Sequence, residues 1–212
     1  MQALEEAFRI LRVSLDARTS GTSVIAVSSA LRNDGSMYVA CGLARAYAEA
    51  GRRTLLLAAD SNESAVRELG PTIALRGSSD PFGLTASVVE APGLHVATIE
   101  TEGSKRSHTI ADSIRQAKSD YNNVVIALDP IGRSSVAFEI TGLADDVVLA
   151  VQLGRKATKQ DRLLMRQLAE RGTRIAGVVP THSRIYDRKL EDVPQTTPLA
   201  VPSYKRQAEV VS

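Results

Sequence analysis

The stretch Ser29-Ala30-Leu31-Arg32-Asn33-Asp34-Gly35-Ser36-Met37-Tyr38 lies where a phosphate-binding loop belongs. An apolar run, Ser23-Val24-Ile25-Ala26-Val27, precedes it, and an alanine-rich run from Val39 to Ala50 follows, closed by Gly51. A strand–loop–helix unit of this kind handles phosphate when it reads G-x-x-x-x-G-K-[ST]. Backbone amides then cradle the phosphate, the lysine neutralises its charge and the hydroxyl holds magnesium. Here Gly35 is kept, but Ser36 stands at the lysine position and Met37 at the hydroxyl position. The frame of a phosphate site is present without the groups that do its chemistry.

Other residues with chemical potential carry less. His95 lies in an apolar run and reads as a hydrogen-bonded core or edge histidine. His108 and His182 have no Cys, Asp or Glu at metal-binding spacing. Cys41, the single cysteine, excludes an internal disulfide and reads as a small core residue. Ser134-Ser135 reads as a helix cap, and Arg155-Lys156 with Lys159 as a solvated basic patch.

These groups need elements to position them. Six short, nearly continuous apolar runs read as strands buried on both faces: 24–28, 54–59, 94–99, 123–128, 146–152 and 174–179. Helical spacing appears at 3–15 (Leu4, Phe8, Leu11, Leu15), 38–50, 107–118, 134–141 and 158–171, where Leu163, Leu164, Leu168 and Ala169 recur. The alternation predicts an α/β fold, a doubly wound and mostly parallel sheet flanked by helices. Residues 61–93, rich in Gly, Pro and Ser, read as loops around short helices, and 198–202 as one further edge strand. A length of 212 residues suits one domain, 1–212, with an N-terminal helix at 1–16 and a polar C-terminal segment at 181–212.

Composition bounds the partners. Apolar residues make up 43 %, aromatics 4 % with no tryptophan, so the core must be Val, Leu, Ile and Ala. A net charge of +2 without a basic run gives no electrostatic case for nucleic acid. No apolar run reaches the ~20 residues of a membrane helix, and the N-terminal residues lack a signal-peptide pattern. A cytoplasmic chain is the expectation.

Taken together the motifs resemble the deviant-Walker P-loop superfamily of septum-site and plasmid-partition (MinD and ParA) ATPases. Within it they are most similar to the cytoplasmic domain of bacterial tyrosine kinases (BY-kinases). Glu6-Ala7-Phe8-Arg9-Ile10-Leu11-Arg12 matches that family's E-x-x-R-x-x-R helix. Against the family loop S-A-x-P-G-E-G-K-S-T-T-A-A-N-L-A, Ser29-Ala30-Leu31 and Asp34-Gly35 align. Arg32 and Asn33 replace Pro and Gly, Ser36 the lysine, Met37 the magnesium-binding serine and Tyr38 the next threonine. The family's L-L-I-D-A-D becomes Leu55-Leu56-Leu57-Ala58-Ala59-Asp60, so Ala58 stands at the first aspartate and Asp60 at the second. Its Y-D-Y-V-I-I-D-T-P-P becomes Tyr121-Asn122-Asn123-Val124-Val125-Ile126-Ala127-Leu128-Asp129-Pro130, which places Ala127 at the metal-associated aspartate. Ala144-Asp145 follows at the family's spacing, 145 − 127 = 18 residues. Thr181 stands where the family has an asparagine near adenine, and no tyrosine cluster ends the chain.

What the resemblance implies is a kinase-like protein with catalysis abandoned: a pseudokinase or pseudo-ATPase. No cofactor and no metal are expected, and no residue is assigned a catalytic role. Phosphoryl transfer depends on positioning and charge neutralisation, and lysine, hydroxyl and two carboxylates are gone. The resemblance further implies a role in exopolysaccharide, capsule or holdfast-like polysaccharide export. The expected partners are an inner-membrane polysaccharide co-polymerase and either a second copy or an active homologue, met through Glu6, Arg9 and Arg12. Nucleic acid and direct membrane insertion are not expected; association with the inner membrane would run through the partner. Two alternatives stay open. One is an active autokinase or ATPase that uses ATP and magnesium through Arg32, Ser36, Asp60 and Asp129. The other is a positioning protein of the MinD/ParA kind.

Overall fold

The computed structural model describes residues 2–31, 34–58, 72–79, 85–89, 93–98, 106–154 and 156–181. Helix α1 (Gln2–Asp16) leads into β1 (Ser23–Ser29), α2 (Ser36–Glu49) and β2 (Thr54–Ala58). Then come β3 (Thr72–Ser79), β4 (Thr85–Val89), β5 (Leu94–Thr98), α3 (Arg106–Asp120) and β6 (Asn123–Ala127). A 3₁₀ turn (Ile131–Arg133), α4 (Ser135–Thr141), β7 (Asp146–Gln152), α5 (Lys159–Glu170) and β8 (Ile175–Thr181) complete the described chain.

The strands form one sheet in the order β3-β4-β5-β2-β6-β1-β7-β8. From β5 to β8 every neighbouring pair is parallel. Strands β1, β2 and β6 are buried at every residue, which is why they read as unbroken apolar runs and not as alternating ones. Strand periodicity still sorts the side chains between two cores. Val24, Leu57 and Ile126 face one side with Ile114, Ile140 and Leu168 from α3, α4 and α5. Ile25, Leu56 and Val125 face the other with Leu15 of α1 and Leu43 and Tyr47 of α2.

Local signals hold the helices in place. Ser134 caps α4 by accepting the Ala137 N–H at 3.1 Å. Thr158 and Asp161 form a reciprocal capping box at the start of α5, with Asp161 accepting the Thr158 N–H at 2.6 Å and Thr158 Oγ1 accepting the Asp161 N–H at 3.2 Å. His95 Nδ1 lies 2.7 Å from the Tyr121 hydroxyl. Burial, and then the Arg53 charge, hold the histidine's pKa below its ordinary value.

Three expectations need correction. Residues 72–79 and 85–89 are strands, not loops around helices. β4 runs antiparallel along the edge of β5 (Val88↔His95, Ser87↔Val96), and β3 pairs with β4 in turn (Ile73↔Val88). Their residues lack a strand-like apolar run, and the ladder comes from an edge that the tertiary fold supplies. In α5 only Leu164 and Leu168 are buried, while Leu163 is 52 % exposed and Ala169 is exposed. In α1 the stripe packs into the core only from Phe8 through Leu11 to Leu15, while Leu4, which lines the same cleft as Phe8, is 47 % exposed. The edge strand expected at 198–202 lies outside the described residues.

Candidate functional site: the loop between β1 and α2

Strand β1 delivers the chain into the loop. Ser28 Oγ donates to the Asp129 carbonyl at 2.6 Å, and Ser29 Oγ donates to the Leu31 carbonyl at 2.8 Å. Asp34 is 1 % exposed, and its Oδ2 accepts the Leu31 N–H at 3.3 Å, so a loop amide is turned onto the loop's own carboxylate. Gly35 follows at φ +80°, the left-handed conformation that glycine adopts without strain, and opens α2 with no side-chain cap. Helix α2 therefore begins at Ser36, two residues earlier than its apolar pattern suggests.

Met37 and Tyr38, which follow on α2, both make packing contacts. Met37 packs into the core beneath α1 and α2. Tyr38 sets its ring edge-on to Phe8, with centroids 5.7 Å apart, and so faces α1. Thr181, the last residue of β8, is buried, and its hydroxyl donates to the Asp34 carbonyl. It closes the loop from the end of β8, with β7 lying between β8 and β1.

The acidic-motif positions lie beside this loop. Ala58 and Ala127 are register partners on β2 and β6, and Ala127 is also level with Val27 on β1. Both alanines are completely buried. The two carboxylates missing from the sequence would thus have been neighbours at one spot. Asp129 lies two residues beyond β6 and is half-buried. Among the described residues no three His, Cys, Asp or Glu side chains gather as metal donors. Arg32, Asn33 and Asp60 lie outside the described residues.

The motif helix is pinned to its own chain. Arg9 meets Glu6 at 3.4 Å and Glu49 of α2 at 3.2 Å. Arg12 meets Asp16 at 3.0 Å, and Asp16 in turn meets Arg52 at 3.0 Å. Glu6, Arg9 and Arg12 therefore do not pair as one trio. Phe8 lies on Gly42, where a Cβ would overlap the ring, so only glycine lets α1 settle this closely. A cleft of about 220 Å³ runs between α1 and α2, lined by Leu4, Glu5, Phe8, Tyr38, Cys41 and Arg45 among others. On the opposite side of α1, Ile10 and Val13 are 60 % and 55 % exposed.

Sequence reading missed a further fixed point. Asp146, 2 % exposed, accepts from Arg174 at 2.9 and 3.2 Å, from Arg18 at 3.3 Å and from the Thr19 hydroxyl at 3.2 Å. Neighbouring Asp145 accepts the Val24 N–H at 2.8 Å and meets Lys118 at 3.1 Å. An Ala-Asp-Asp opening a strand was legible; its partners, far away in sequence, were not.

No protein-family model matches the chain. In sequence it is 25 % identical over 190 residues to the succinoglycan biosynthesis transport protein ExoP of Rhizobium meliloti (strain 1021), covering 82 % of this chain and 24 % of that protein. The chain thus spans about a quarter of that relative's length. It is 23 % identical over 188 residues to the tyrosine-protein kinase CpsD of Streptococcus agalactiae, covering 82 % of each. Among solved structures, the kinase domain of Escherichia coli tyrosine kinase ETK superposes with a TM-score of 0.69 at 20 % identity, over 84 % of this chain and 74 % of that one. The cobyrinic acid a,c-diamide synthase from Mycobacterium smegmatis with bound ATP analogue and magnesium superposes with a TM-score of 0.61 at 19 % identity, over 84 % and 86 %. The fold is that of bacterial tyrosine kinase domains and MinD/ParA-like P-loop ATPases, as the motifs implied.

Proposed function

We propose that this chain, which has the fold of the bacterial tyrosine kinase domains and sequence similarity to them, is a catalytically inactive member of that group. It regulates or scaffolds an inner-membrane polysaccharide co-polymerase in exopolysaccharide, capsule or holdfast-like polysaccharide export. The observation that carries the reading is the pairing of Ala58 with Ala127, both fully buried, beside a loop with Ser36 at the lysine position.

The residues present do not fit magnesium-ATP. Ser36 and Met37 supply neither lysine nor a magnesium-binding hydroxyl, and the acidic positions carry methyl groups. Asp34, at the glutamate position of the family loop, is buried and accepts the Leu31 N–H within the loop. Titration calorimetry with ATP and ADP, with and without magnesium, is expected to give no binding heat up to high micromolar nucleotide. Magnesium-dependent binding would overturn the reading in favour of an active enzyme working through Arg32, Ser36, Asp60 and Asp129.

Assembly through α1 belongs to the same proposal. Arg9 and Arg12 hold the helix to its own chain, so alanine at Glu6, Arg9 and Arg12 would disturb α1 itself. Ile10→Asp tests the outward face more cleanly. Burying an isoleucine is worth about 1.5–3 kcal/mol, so this variant should weaken self-association, or binding to an active homologue, by at least about tenfold in analytical ultracentrifugation. Unchanged sedimentation would reject α1 as the interface.

A further inference from the structure

The described cations divide into two groups. Arg9, Arg12, Arg18, Arg52, Arg174 and Lys118 each meet a carboxylate within 3.4 Å. Arg115 does the same, Arg53 and Arg171 lie over aromatic rings, and Arg45 also has a partner. Among the described side chains, those left without any such partner are Arg133, Lys156, Lys159, Arg162 and Arg166, and all five are exposed. They share one region. Lys159, Arg162 and Arg166 recur at i, i+3 and i+7 along the outer side of α5, opposite the buried Leu164 and Leu168. Lys156 leads into the helix, and Arg133 ends the 3₁₀ turn, whose Gly132 lies beside the Gln160 amide of α5.

The apolar surroundings matter as much as the charge. Leu163 and Met165 flank the basic stripe at 52 % and 41 % exposure. Asp161, an acid within the helix, is engaged in the capping box, leaving Glu170 at the far end. A net charge of +2 for the whole chain hides this local concentration. A basic stripe bordered by exposed aliphatic side chains suits an anionic lipid surface, where cations meet headgroups and the flanking residues reach the interface. A nucleic-acid groove would call for stacking aromatics, and α5 has none.

We infer that the outer face of α5 docks on membranes bearing anionic phospholipids, as a peripheral contact without insertion. The inference is independent of nucleotide chemistry and of α1. Each cation near an anionic bilayer raises affinity about fivefold, so the stripe alone gives weak, reversible attachment that strengthens when copies are held side by side. The test is co-sedimentation with phosphatidylcholine vesicles, with and without phosphatidylglycerol. The protein should pellet only with the anionic vesicles and be released by salt. The variant Lys159→Ala/Arg162→Ala/Arg166→Ala, checked for unchanged circular dichroism, should bind about a hundredfold more weakly. Leu163→Ser, also on the exposed side, should weaken binding severalfold on vesicles while leaving retention on heparin unchanged. Failure to pellet with anionic vesicles, equal binding by the triple variant, or binding to a DNA duplex in preference to vesicles would each overturn the assignment.

Discussion

Replacing Ala127 by aspartate is expected to lower the free energy of unfolding by about 3–5 kcal/mol, read from urea denaturation. The position is fully buried, and its register partners Ala58 and Val27 offer neither a cation nor a side-chain donor. An ion placed there loses its hydration without compensation. Burial would raise the new carboxyl's pKa above its unfolded value, so in acid only the bulk and neutral polar burial count, and the loss grows as pH rises through the unfolded pKa of about 4. Ala127→Asn adds similar bulk without charge, so its smaller effect measures how much of the loss is electrostatic. Adding Ser36→Lys to the aspartate variant asks whether the loop can bring a lysine within reach of the new carboxylate. A loss below about 1 kcal/mol for Ala127→Asp would mean that the acidic position remains open to water or ions. The reading of an abandoned site would then fail along with it.

The second large effect is at the other end of the sheet. Asp146→Ala should cost about 2–3 kcal/mol, because it removes charge-assisted hydrogen bonds to Arg18 and Arg174 and one to Thr19. These join the α1–β1 connector, the start of β7 and the approach to β8. The two arginines are 40 % and 53 % exposed and can return to water, which keeps the loss below that of a fully buried pair. By contrast, removing the exposed Arg9–Glu6 contact alone should leave the unfolding midpoint essentially unchanged, because both side chains are solvated. A Tm shift for Asp146→Ala no larger than that of an exposed-pair variant would show that the cluster is decorative.

The two predictions separate what each level of description carries. The six parallel strands were legible because strands buried on both faces must be apolar throughout, and the breaks between them fall at polar turns. The missing lysine, hydroxyl and carboxylates were legible because a phosphate loop has rigid spacing, so a substitution at a known offset is visible without coordinates. The strands β3 and β4 were not, because Arg76, Gly77 and Ser78 interrupt any apolar run in β3, and the ladder exists only because β5 presents an edge to β4, on which β3 then pairs.

The candidate site divides in the same way. Sequence by itself determined that Ser36, Met37, Ala58 and Ala127 stand where the motifs they resemble carry a lysine, a hydroxyl and two carboxylates, since that is a matter of residue type and spacing alone. Only the tertiary structure decided what these positions do instead. It set Ala58 against Ala127, turned Tyr38 onto Phe8, closed Asp34 with Thr181, and left three cations of α5, Lys156 before it and Arg133 of the 3₁₀ turn without a carboxylate or ring partner among the described side chains. Each of these is a contact between, or an absence of contact from, segments distant in the chain. Such contacts are chosen by the packing of whole helices and strands, which no local spacing encodes.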